Sequence, residues 1–202
     1  LNEFFQQALE QFAQQSPLEV IAVLLSILYV VFASRQNILC WPCALISTII
    51  YAYLFWETTL IFHMMLNVYY VVMAVVGFVS WSSSKESHAP SLPVSHLSLL
   101  SHLYILSAGC LITLLLSLLA SQWFTSEWVY LDAGTTVFSV FATVMVARKK
   151  IDNWYYWLAV NPLSAYLVYQ NGLYPTSLLM IFYTLMSVYG LWQWRKDLIK
   201  GC

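Results

Sequence analysis

The chain has 202 residues, of which 61% are hydrophobic, 17% aromatic and only 8% charged, with a formal net charge of −1. A soluble domain carries about 25% charged residues, so eight Lys+Arg and nine Asp+Glu cannot cover a water-soluble surface this apolar. A secreted disulfide scaffold, a disordered chain and a nucleic-acid binder, which needs a basic face, are excluded. What remains is an integral membrane protein with room for about six to eight spanning helices.

The first segment, 1–17, places Leu1, Phe4, Phe5, Leu9 and Phe12 at helical spacing with Gln and Glu opposite. That pattern predicts an amphipathic helix lying in the membrane interface. It has no basic start and no apolar core, so it does not read as a signal peptide. Apolar runs then predict spans at 18–34, 38–56 and 58–81, a polar linker at 82–96 rich in Ser and Pro, a fourth span at 97–121, and three more at 128–147, 152–171 and 173–195. The runs are continuous and do not alternate with period two, which favours helices over barrel strands.

Seven spans put every basic residue on one side. With the N-terminus outside, Arg35, Lys85, Arg148, Lys149, Lys150, Arg195, Lys196 and Lys200 all face the cytoplasm, as the positive-inside rule requires. Glu3, Glu10, Glu57 and Glu127 then fall outside.

The sequence also matches itself at a shift of 113 positions. Arg35 falls on Arg148, Trp41 on Trp154, Tyr53 on Tyr166, Tyr70 on Tyr183, Gly77 on Gly190 and Trp81 on Trp194; Ser26 falls on Ser139, and Glu19 on Asp132. Roughly a quarter of positions from 19 to 81 are identical. Two three-helix repeats, 18–81 and 128–195, with one helix in the intervening 82–121, predict a 3+1+3 all-α architecture. The odd helix restores the direction of the second copy, so the repeats are parallel. Transporters built this way bind substrate near the midplane, between the halves.

The 3+1+3 order resembles the SWEET-like fold, and particular residues narrow it. They are Trp41-Pro42, Asn67 with Tyr69-Tyr70, Gly77 to Trp81, Leu131-Asp132 with Thr135-Thr136 and Ser139, the stretch from Arg148 to Asn161, Gly172 to Tyr174, and Tyr189-Gly190 to Trp194. Together they resemble the PnuC family of bacterial nicotinamide riboside transporters over nearly the whole chain from 18 to 195, most specifically from Arg148 to Asn161. The resemblance implies facilitated diffusion of nicotinamide riboside by alternating access, an inner-membrane location and a homotrimer, with no cofactor, metal or catalytic residue. Thiamine or a related vitamin is the alternative cargo.

Nicotinamide riboside has a flat cationic ring, an amide and ribose hydroxyls. A site for it should supply aromatic faces and neutral hydrogen-bonding groups. Trp154, Trp157 and Asn161 are spaced i, i+3, i+7 and share one helix face. Asn67, Tyr70 and Tyr183 reach similar depth from the opposite side, and Thr136 and Trp41 complete the candidate binding set. Each has a structural alternative: Trp and Tyr anchor at interfaces, Asn67 can join helices through a hydrogen bond, and Trp41 can be only the counterpart of Trp154. His63 is a candidate proton relay. Glu19 and Asp132 suit a helix N-terminus. Pro162 is a candidate kink or hinge.

Cys40-Trp41-Pro42-Cys43 has thiol–disulfide spacing, which keeps a membrane thiol oxidoreductase as the rival reading. No strand pattern surrounds the motif, and it lies at the cytoplasmic end of a span, in a reducing compartment. The chain contains no phosphate-binding GxxxxGK[ST] loop and no HExxH.

Overall fold

The computed structural model describes residues 2–57, 61–86, 92–122 and 128–200. They form eight helices: α1 (Asn2–Ala13), α2 (Pro17–Ser34), α3 (Cys40–Glu57), α4 (Ile61–Glu86), α5 (Leu99–Ala120), α6 (Val129–Ala147), α7 (Asn153–Gln170) and α8 (Tyr174–Lys200). Among the described residues there is no strand, only an isolated bridge between Ser95 and Lys150. The side chains of His63 and Lys85 and the whole of Glu127 lie outside the described residues.

Among the described residues five helices are long and apolar enough to cross a membrane: α2, α4 over Met64–Ser82, α5, α6 and α8. The other two expected spans differ for identifiable reasons. The described apolar stretch of α3 is the shorter Cys40–Leu54. Helix α7 has the length, but its asparagines, tyrosines and tryptophans lower its hydropathy. Helix α4 continues through Ser82 to Glu86, where a polar linker was expected to begin. Ser, Lys and Glu are compatible with a helix once it has left the apolar layer.

Local chemistry sets the helix ends. Ser16 and Glu19 form a reciprocal capping box at the start of α2, with Pro17 in the first turn. Glu19 accepts from the Ser16 amide at 2.7 Å and the Ser16 hydroxyl accepts from the Glu19 amide at 3.2 Å, which satisfies two donors that a helix N-terminus leaves open. The turns after α2 and α6 are alike. Gln36 and Lys149, 113 positions apart, both have positive φ, 53° and 49°. In each turn the next two amides reach back to the helix end: Gln36 to Ala33 and Asn37 to Phe32, Lys149 to Val146 and Lys150 to Met145. This is the Schellman arrangement, here built without the usual glycine.

Helix α3 packs between α2 and α4, and α7 between α6 and α8. The two groups meet through α2 against α8 and α4 against α6, while α5 packs on α6. Two glycines permit the closest approaches. A Cβ on Gly77 would lie 2.3 Å from the Trp41 indole, and one on Gly190 would lie 2.5 Å from that of Trp154. The densest core lies around these rings, where Trp41, Trp81, Trp154 and Trp194 are all buried.

The segment before α5 is fastened to the α6–α7 turn. Buried Asp152 accepts from the Leu97 amide at 2.6 Å and faces His102 at 3.2 Å and His96 at 3.5 Å. Lys150 Nζ donates to Ser95 Oγ at 2.8 Å. At the opposite end, Gln11 of α1 donates to the Gly172 carbonyl at 2.8 Å and accepts from the Tyr174 amide at 3.2 Å. Helix α1 is thereby docked on the α7–α8 turn with Phe5, Leu9 and Phe12 exposed.

Candidate functional site

Helix α7 organises the site. Asn161 is eight residues from the helix start, or about 12 Å along the axis at 1.5 Å per residue, near the middle of the 18-residue helix. Trp157 and Trp154 lie one and two turns nearer the Asn153 end on the same face. Their side chains border a cavity of about 70 Å³. Tyr29, Val30 and Ala33 of α2 form its opposite wall, Val146 of α6 closes one side, and Tyr183 and Ser187 of α8 complete it. The cavity therefore lies between α2, from the first group of helices, and the second group.

Its chemistry is aromatic, polar and uncharged. No Lys, Arg, Asp or Glu is among the lining residues. Asn161, 4% exposed, donates from Nδ2 to Ser187 Oγ at 3.2 Å, and the Ser187 hydroxyl donates to the Tyr183 carbonyl at 2.7 Å. Ser187 thus fixes one edge of the Asn161 amide and leaves its carbonyl oxygen for another donor. Trp154 is held firmly: it packs on Gly190 and meets Trp194 edge to face at 5.5 Å. Its indole N–H is buried with no hydrogen-bond partner. Trp157 and Tyr183 are partly buried and pack against the same core.

The structure brings Trp154, Trp157, Asn161 and Tyr183 together. Asn67, Tyr70, Thr136 and Trp41 do not line the cavity. Asn67 is buried within α4. Tyr70 packs beside Tyr69, with ring centroids 5.6 Å apart. Trp41 packs on Gly77 and against Trp81 at 5.3 Å. Pro162 lies inside α7 beside Asn161 and faces outward. Tyr29 and Ser187 are wall residues that sequence reasoning missed. Ser187 carried a usable signal, since it is one turn beyond Tyr183. Tyr29 carried none, because its repeat counterpart is Ala142.

A second, larger space of about 390 Å³ lies between α1, α7 and α8, lined by Phe4, Ala165, Tyr166, Tyr169, Ser177 and Ile181. Ser177 already donates to the Ala165 carbonyl at 3.0 Å, so this space lacks a spare buried polar group. Cys40 and Cys43 are unpaired thiols at the start of α3, the first fully buried.

Comparison with known proteins places this geometry. The family model described as nicotinamide mononucleotide transporter matches residues 16–196. The nicotinamide riboside transporter PnuC of Neisseria mucosa is 30% identical over 204 residues, covering 92% of this chain and 74% of that protein. The protein of the same name from Escherichia coli is 21% identical over 202 residues, covering 88% and 84%. A crystal structure of the vitamin B3 transporter PnuC aligns with a TM-score of 0.73 at 26% identity, covering 98% of this chain and 88% of that one.

Proposed function

The chain belongs to the nicotinamide mononucleotide transporter family, and from that premise we propose that it carries nicotinamide riboside by facilitated diffusion. It is a multi-pass membrane transporter and not an enzyme, which removes the thiol oxidoreductase reading of Cys40 and Cys43. In the proposed arrangement α2–α4 and α6–α8 are two parallel three-helix repeats, α5 is the linker, and α3 and α7 also span. The paired turns at Gln36 and Lys149 and the paired seats at Gly77 and Gly190 support this reading. The proposal also takes the bacterial inner membrane as the location, the N-terminus outside, the C-terminus cytoplasmic and a homotrimeric assembly, following the charge pattern and the family resemblance.

The single observation that carries the substrate assignment is the uncharged aromatic wall around Asn161. A Trp face over a desolvated cation contributes about 2 kcal/mol, and the Asn161 amide can pair with the carboxamide or the ribose hydroxyls. The same wall discriminates between two related cargoes. A mononucleotide carries a phosphate, which needs Lys, Arg or a cluster of amide donors, and none of the lining residues is cationic. The lining chemistry therefore suits the riboside and not its 5′-phosphate. Ligand pockets commonly exceed about 300 Å³, so the cavity must widen to admit substrate, and the half-buried rings of Tyr29, Trp157 and Tyr183 are the ones placed to move.

Uptake of labelled nicotinamide riboside into vesicles containing only this protein, with neither ATP nor an ion gradient, tests the proposal. Uptake is expected, with competition by unlabelled riboside and none by its phosphate. Competition by thiamine at equal concentration would transfer the assignment to the alternative vitamin. Dependence on a proton gradient would replace the uniport mechanism.

A further inference from the structure

Four tryptophans form a continuous chain at the cavity's Arg195 end. Trp41 meets Trp81 at 5.3 Å, Trp81 meets Trp194 at 6.2 Å, and Trp194 meets Trp154 at 5.5 Å. The central pair are repeat counterparts, and both bond across the molecule. Trp81 of α4 donates its indole N–H to the Ala147 carbonyl of α6 at 3.2 Å. Trp194 of α8 donates to the Ala33 carbonyl of α2 at 3.0 Å. Each acceptor is in the last turn of its helix, where carbonyls lack an intrahelical partner. Each bond joins one three-helix group to the other, and they run in opposite directions.

These bonds adjoin the candidate site directly. Ala33 lines the cavity, and so does Val146, the neighbour of Ala147. Trp154, also in the wall, packs edge to face on Trp194. Trp194 is 0% exposed and Trp81 5%, so both rings are buried beside this end of the cavity. Lys149 Nζ covers the Trp81 ring at 4.7 Å. Beyond the rings a further bond, Gln36 Nε2 to Asp197 Oδ2 at 2.8 Å, also joins the α2–α3 turn to α8.

We infer that Trp81 and Trp194 are a reciprocal latch that shuts the substrate path on the Arg195 side, and that release on that side requires both indole hydrogen bonds to break. This rests on the transport reading above. The two bonds share one interface between the halves, so the halves cannot separate there while either remains.

Cys40 provides a reporter. It is 0% exposed and belongs to the same core cluster as Trp81 and Trp194. In full-length protein with Cys43→Ser, Cys110→Ser and Cys202→Ser, Cys40 is the sole thiol, and an impermeant maleimide reaches it only when the latch opens. Trp81→Phe and Trp194→Phe keep an aromatic ring, smaller than the indole, and remove the N–H. Each is expected to accelerate Cys40 labelling by about 2- to 12-fold, the population change that corresponds to one net hydrogen bond, and the double variant more than either. Unchanged labelling in all three would overturn the latch. If a variant aggregates, the tryptophan-intact protein decides the matter in sealed vesicles. Labelling is then expected only from the side bearing Arg195 and Lys196, and equal labelling from the other side overturns the proposal. Neither measurement uses substrate, so a failure to transport nicotinamide riboside would sink the cargo assignment and leave the latch result readable.

Discussion

Asn161 depends for its role on Ser187. With the serine holding Nδ2, the asparagine presents a fixed acceptor to the cavity, beside the partly buried Trp157 ring. Removal of a buried polar partner costs about 1–3 kcal/mol, so Asn161→Ala is expected to weaken nicotinamide riboside binding roughly 5- to 150-fold. Trp157→Ala, which removes an aromatic face, is expected to weaken it by a similar factor. Calorimetric titration of the purified variants checks both, and wild-type affinity in each would remove the proposed site. These residues were legible in the sequence because they share one helix and its period is known. Asn67 and Tyr70 were placed in the binding set at matching depth, Thr136 as a residue along the path and Trp41 as the counterpart of Trp154, yet none of the four lines the cavity. Depth follows from counting along a helix, whereas the rotation of α3, α4 and α6 toward the cavity depends on packing between helices. Trp41 shows this most clearly: its counterpart Trp154 lines the cavity, but where α7 has Trp157 and Asn161, α3 has Ala44 and Thr48.

At the scale of elements, apolar runs located the helices because lipid leaves the backbone few alternatives. The ends were less legible. Helix α4 runs on to Glu86 and α8 to Lys200, since hydrophobicity marks where a helix leaves lipid and not where its hydrogen bonding stops. The tie between the segment before α5 and the α6–α7 turn had no sequence signal, because Asp152 and Leu97 are 55 positions apart. That tie fastens the start of α5 to the α6–α7 turn. Asp152→Ala would leave the Leu97 amide unpaired and His96 and His102 without their carboxylate. A loss of about 1.5–3 kcal/mol is expected for a hydrogen bond to a charged acceptor, read as a lower Tm in detergent, with riboside affinity kept. An unaltered Tm would show that the tie contributes nothing to stability.

For the whole molecule, the 113-residue period carried more information than any motif. The turns at Gln36 and Lys149, the glycine seats at Gly77 and Gly190 and the indole donors Trp81 and Trp194 all recur at that spacing, which needs only that two like segments fold alike. In parallel repeats both turns face one side. With Asn37→Cys or Arg148→Cys as the sole thiol, both are expected to label from the side of the C-terminus, since both positions are exposed. Labelling from opposite sides would make the repeats inverted.

An uncharged wall has an electrical consequence. The proposed passenger bears one positive charge, and nothing lining its resting place offsets it, so each crossing moves that charge through the membrane voltage. A potential of 100 mV contributes about 2.3 kcal/mol per charge, or roughly a fifty-fold accumulation on the negative side. A carrier with no fuel of its own would still concentrate its cargo wherever the cell interior is negative.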